Sequence, residues 1–167
     1  MPQPRRELLT WSDVDQAIDY LLPQFEPEFE AMILITRGGI IPGGMLAEAL
    51  CMENIFTAAV DFPAEFERQR MGALFAWPRF LQFPEDSLLR ARRTLIVDDV
   101  WGSGRTITAV KNRVSAAGGM PYTCVLHFNP HRNLFGAARP DFYAAITDAY
   151  IVYPWEIDRG SEHVLAG

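Results

Sequence analysis

Short apolar runs alternate along the chain with segments whose apolar residues recur at helical spacing. From Ser12 to Phe25, Val14, Ala17, Ile18, Leu21, Leu22 and Phe25 fall three and four residues apart, with Ser12 as the N-cap. Ala31 to Thr36 is continuously apolar and short, the pattern of a strand covered on both faces. After Arg37-Gly38-Gly39, Ile40-Ile41-Pro42 opens a helix carrying Met45, Leu46, Ala49 and Leu50, with Pro42 in its first turn. Ile55 to Val60 and Thr94 to Val97 repeat the strand pattern. Thr106 to Ala117 repeats the helical one, with Ile107, Val110 and Val114 on one face and Gly118-Gly119 as the stop. Tyr122 to Phe128 and Tyr143 to Thr147 supply further strands, and the apolar tail Ile151 to Glu156 lies beyond the regular pattern.

Strands alternating with helices predict an α/β fold: one domain over residues 1–167, with a mostly parallel central sheet flanked by helices. Between Asp61 and Leu89 the periodicity fails. Phe62-Pro63, Trp77-Pro78 and Phe83-Pro84 interrupt it, so 61–89 is expected to be a lid, with Arg68 and Arg70 as its cations. Residues 129–167 are expected to form a C-terminal hood and tail.

Composition narrows the function. Half the chain is apolar (49%), 22% is charged, and 15 basic against 21 acidic residues give a net charge of −6. A nucleic acid or an anionic membrane surface is a poor partner for that balance. No run reaches the length of a membrane span and the N-terminus lacks the apolar core of a signal peptide, so the expected address is the cytoplasm. The two cysteines, Cys51 and Cys124, read as buried free thiols.

In parallel α/β sheets ligands bind at the carboxyl ends of strands. Three polar turns fall there: Arg37 to Gly39, Asp98 to Arg105, and Asn129 to Asn133. The second carries the chemistry. A buried strand delivers Asp98 and Asp99, and Val100-Trp101-Gly102-Ser103-Gly104-Arg105-Thr106 then opens a helix. The glycines let successive N–H groups converge, Ser103 and Thr106 add hydroxyls, and the helix N-terminus adds partial positive charge: a phosphate cradle. Carboxylates beside a phosphate must serve another part of the ligand, and sugar hydroxyls or a Mg²⁺ suit them. A ribose 5-phosphate combines those features. The lysine of a Walker loop and the downstream acid of a Rossmann fingerprint are both missing.

This segment is similar to the phosphoribosyl-pyrophosphate motif of the type I phosphoribosyltransferases. Ile35 to Gly43 resembles the pyrophosphate loop of their xanthine-guanine and archaeal hypoxanthine branch, and Tyr153-Pro154-Trp155-Glu156 resembles its purine hood. The resemblance runs from Ile33 to Asp158. It implies Mg²⁺-dependent transfer of the phosphoribosyl group to a purine-like base with release of pyrophosphate, in a homodimer or higher homo-oligomer. By that pattern Asp98 and Asp99 hold the ribose hydroxyls, or a Mg²⁺, and the charge developing at C1. Trp101, Gly102, Ser103, Gly104, Arg105 and Thr106 hold the 5-phosphate. Arg37 and Gly38 meet pyrophosphate, and Asn129, Trp155 and Glu156 address the base.

The chain departs from the pattern twice. The slot of a third aspartate, the usual proton-exchanging group, falls on Gly102, and Asn129 stands where a lysine usually reads the purine oxygen. A protein that binds phosphoribosyl pyrophosphate or a nucleotide as a regulator, with weak catalysis, is therefore the alternative to an efficient transferase.

Overall fold

The computed structural model describes residues 5–62 and 77–159. Among them the strands are β1 (Arg6–Leu8), β2 (Ala31–Ile35), β3 (Ile55–Asp61), β4 (Arg79–Gln82), β5 (Arg93–Trp101), β6 (Met120–Phe128), β7 (Phe142–Ile146) and β8 (Tyr150–Val152). The helices are α1 (Trp11–Leu21), α2 (Ile40–Ala49), α3 (Arg105–Ala116) and α4 (Pro154–Arg159). The main sheet runs β4-β3-β2-β5-β6-β7, parallel except for β4, which lies antiparallel on β3. β1 and β8 pair parallel in a separate two-stranded sheet.

The central strands read as unbroken apolar runs because both faces are covered. With a period of two, Met32 and Leu34 of β2, Leu95 and Val97 of β5, and Cys124 and Leu126 of β6 face one core with Val14, Ile18 and Leu21 of α1 and Leu46 of α2. Ile33, Ile35, Ile96 and Val125 face the opposite core with Ile107, Val110 and Val114 of α3. Each layer is thus the buried stripe of a helix laid on one face of the sheet.

Local signals explain the boundaries. Helix α1 begins two residues earlier than the periodicity suggests, because Thr10 rather than Ser12 is the cap. The Thr10 hydroxyl accepts from Asp13 N–H, and the Asp13 carboxylate accepts from Thr10 N–H at 2.7 Å, a reciprocal capping box. It ends where Pro23 turns Leu22–Gln24 into a 3₁₀ turn. Strand β5 is longer than its apolar run: the acidic pair and Trp101 continue the ladder, with Asp98 opposite Val125 and Trp101 opposite Phe128.

Four expectations change. Residues 63–76, including Arg68 and Arg70, lie outside the described residues, and the described remainder of the expected lid is partly sheet. Arg79–Gln82 extends the edge beyond β3, where Phe80 and Phe83 pack on the second core. The expected hood gives up 142–146 to the main sheet as β7, since its backbone completes the ladder on β6. The apolar tail is ordered by pairing of β8 with β1, strands too short to show a periodic signal. Cys51 is exposed while Cys124 is buried; both are free. No helix among the described residues is long and apolar enough to cross a membrane.

Candidate functional site

The order β2-β5-β6 puts the three polar turns side by side at the carboxyl edge of the sheet. Leu34 pairs with Val97, so the turn after β2 lies beside Asp98 and Asp99. Val100 and Trp101 pair with His127 and Phe128, which sets the turn after β6 against the glycine turn.

The first turn is shaped by close approach. A side chain at Gly38 would fall inside the Asp99 carboxyl group, so only glycine lets this backbone lie against the acid. Arg37, joined to Thr36 by a cis peptide, is exposed at the rim.

The acids themselves are costly to bury. Asp98 Oδ1 accepts the Asp99 N–H at 2.9 Å and Asp99 Oδ1 accepts the Val100 N–H at 2.7 Å. Those donors do not offset the loss of water. Burial pushes the Asp98 carboxyl well above the usual carboxylate range, and the Asp99 charge adds to it. Burial likewise raises Asp99, to about 6, against the opposing pull of the Val100 N–H and with a further push from Glu156. Among the described residues no cation pairs with either acid. The pair is therefore set to receive positive charge or hydroxyl donors from a ligand.

The glycine turn leads into α3. Gly104 occupies the N-cap with φ +81°, a left-handed conformation that glycine adopts without strain, and any side chain there would overlap the Trp101 indole. Ser103 Oγ accepts the Arg105 N–H at 3.3 Å, and the Arg105 guanidinium lies 4.4 Å from the Phe62 ring centroid. Trp101 departs from its expected place. Its indole is 2% exposed and donates from Nε1 to Asn133 Oδ1 at 3.2 Å, so it supports the turn from below instead of facing a phosphate.

The third turn is tied to the second. The Asn129 N–H donates to Trp101 O at 2.9 Å and the Leu134 N–H to Ser103 O at 3.0 Å. Asn129 is buried and its Oδ1 accepts the His131 N–H at 3.1 Å. Glu156 is similarly engaged: one carboxylate oxygen accepts the Tyr153 N–H at 2.7 Å and caps α4. Trp155 stacks on Tyr153 with centroids 4.6 Å apart and planes within 3°, and its ring lies 6.0 Å from that of Trp11.

Tyr153 is the residue that sequence reasoning missed. Its hydroxyl donates to the Asp99 carbonyl at 3.0 Å and lies 2.9 Å from His127 Nδ1. A carbonyl cannot donate, so the tyrosine proton is spent there and His127 must donate from Nδ1. Burial also lowers the His127 pKa and raises that of Tyr153, keeping both neutral. This chain of bonds joins β6, the acidic pair and the C-terminal segment. In the sequence only a tyrosine before Pro-Trp hinted at it.

No family model matches the chain. A xanthine-guanine phosphoribosyltransferase of Chromohalobacter salexigens is 24% identical over 152 residues, 89% of this chain and 83% of that protein. The purine phosphoribosyltransferase of Pyrococcus horikoshii superposes with a TM-score of 0.73 at 29% identity, over 90% of this chain and 93% of its own. The chain has the type I phosphoribosyltransferase fold. A hypothetical protein of Neisseria gonorrhoeae, solved with bound ppGpp, shares that fold at a TM-score of 0.75 and 22% identity, covering 99% of this chain and 97% of its own. The relatives that carry an activity in their names belong to the purine branch of these transferases.

Proposed function

We propose that the protein transfers the 5-phosphoribosyl group from phosphoribosyl pyrophosphate to a purine-like base, releasing pyrophosphate. One observation carries the reading. A pair of half-buried carboxylates, with no cation paired to them among the described residues, stands between two glycine turns at adjacent strand ends, one turn closing on the acid and the other opening a helix.

In this reading Asp98 and Asp99 lie under the ribose and stabilise the positive charge that grows at C1 as the pyrophosphate leaves. The N–H groups of Gly102 to Thr106 and the hydroxyls of Ser103 and Thr106 bind the 5-phosphate. The turn at Arg37 and Gly38 receives the pyrophosphate. Trp155, with one face already on Tyr153, offers a flat apolar edge to the base, and the amide nitrogen of Asn129 offers a donor.

Mg²⁺ fits the residues present. Among the described residues no three His, Cys, Asp or Glu side chains converge on a metal position. The protein thus supplies at most the Asp98 and Asp99 carboxylates, and the remaining ligands come from water and substrate oxygens, the usual arrangement for this ion. When bound, the ion would neutralise charge on the departing pyrophosphate. A cytoplasmic homodimer or higher homo-oligomer belongs to the same reading, and sedimentation tests the assembly.

A second reading, a nucleotide-binding regulator with weak catalysis, is favoured by two observations: Gly102 offers no proton-exchanging side chain, and a protein of the same fold was solved with bound ppGpp. One experiment separates the readings. The protein is incubated with phosphoribosyl pyrophosphate, Mg²⁺ and a panel of free bases, and products are identified by mass. A nucleotide from one base establishes the transferase. Tight binding of phosphoribosyl pyrophosphate without product from any base establishes the regulator.

A further inference from the structure

Gly102 is not explained by the fold. Its φ lies outside the left-handed region, and a side chain there would meet nothing closer than the Arg132 guanidinium at 3.9 Å. Neither conformation nor space demands glycine, and a Cβ there would lie in ordinary contact with the Arg132 guanidinium.

Arg132 is held beside Gly102 by its own loop. Its N–H donates to Asn129 O at 3.3 Å, and on either side the loop is bonded to the turn through Asn129 to Trp101 and Leu134 to Ser103. Trp101 Nε1 to Asn133 adds a third tie. Among the described residues no carboxylate pairs with the guanidinium. The same loop presents a second donor. Asn129 spends its oxygen on the His131 N–H, a group that can only donate, and this leaves the amide nitrogen as the donor of that side chain. The loop beside Gly102 therefore offers an amide N–H₂ and a forked cation, while Gly102 itself brings no group able to accept a proton.

Resting on the transferase reading above, we infer that Arg132 is a specificity-determining residue that selects an oxo-rich acceptor base bound as its anion. A neutral base must lose a ring N–H proton as its nitrogen bonds to C1, and Gly102 has no side chain to take it. An anionic base needs none. Its nitrogen lone pair forms the N–C1 bond, the C1–O bond breaks, and that electron pair leaves with pyrophosphate. Arg132 binds the anion before transfer and Asn129 donates to an oxo group beside it.

The test compares xanthine, an oxopurine anionic at mildly alkaline pH, with hypoxanthine, largely neutral there. kcat/KM is measured for wild type, R132A and R132K, with ribose 5-phosphate binding followed in parallel. R132A should lower the xanthine-to-hypoxanthine ratio roughly ten-fold or more, the scale of one charged hydrogen bond in a site. R132K should recover only part of the ratio, because an ammonium lacks the fork. G102D should lower the ratio as well, since its carboxylate would pair with Arg132, and G102D/R132A should favour hypoxanthine. An unchanged ratio in R132A with turnover intact overturns the inference and leaves the transferase reading standing. Weakened ribose 5-phosphate binding at an unchanged ratio also overturns it, making Arg132 a phosphate clamp. Absence of turnover with every base in wild type removes both.

Discussion

Replacing Asp99 by asparagine should stabilise the ligand-free protein at neutral pH. The Asp99 carboxyl rises from 3.8 in an unfolded chain to about 6 in the fold, chiefly through burial. Between those values the folded protein keeps a proton that the unfolded chain has released. The stability tied to this proton is complete below the unfolded value and is lost as pH rises through about 6. The difference corresponds to about 3 kcal/mol, or about 2 kcal/mol once partial solvent access to the residue is allowed for. Asp98 moves in the same direction, and part of its rise comes from the Asp99 charge, so D99N relieves both acids. Asparagine keeps an oxygen for the Val100 N–H and matches the carboxyl in shape beside Gly38. Urea unfolding at about pH 5 and about pH 8 measures the effect. Wild type should lose stability between the two, whereas D99N should lose clearly less and exceed wild type at the higher pH. For a domain of this size that gain is roughly 4–8 °C in Tm. A D99N protein that is less stable at about pH 8, or has the wild-type pH dependence, would refute the burial argument.

Three further outcomes follow from the same contacts. Mg²⁺ added with phosphoribosyl pyrophosphate must displace the retained protons, so affinity should rise with pH through about 6 and binding should release protons, as calorimetry in buffers of different ionisation enthalpy reports. Y153F leaves His127 Nδ1–H and the Asp99 carbonyl without their shared partner, which should cost about 1–3 kcal/mol in urea unfolding. G104A meets both a left-handed backbone and the Trp101 indole and should lower stability by about 1–3 kcal/mol, with weakened binding of ribose 5-phosphate by titration.

Much of this was legible in the chain because the informative residues carry their physics locally. Apolar runs such as Ala31 to Thr36 mark strands whether or not their neighbours are known, and three polar turns at strand ends define the site edge once the sheet is parallel. What escaped depends on contacts between distant segments. β1 and β8 are three residues each and exist only by pairing with each other. Trp101 continues a polar stretch in sequence, yet β5 extends far enough to turn its indole inward. The bond from Tyr153 to Asp99 spans 54 positions, and the approach of Arg132 to Gly102 depends on a loop tied across two strands. Glu156, expected at the base, serves as a helix cap, a role that the four residues Tyr153-Pro154-Trp155-Glu156 allow but do not require.

The most direct test of the central claim is pyrophosphate release. Wild type and the D98N/D99N double variant are each supplied with phosphoribosyl pyrophosphate, Mg²⁺ and the base panel, and phosphorus NMR follows pyrophosphate and nucleotide together. The account predicts both products in equal amounts from wild type and neither from the double variant. Equal turnover by the two proteins would contradict it.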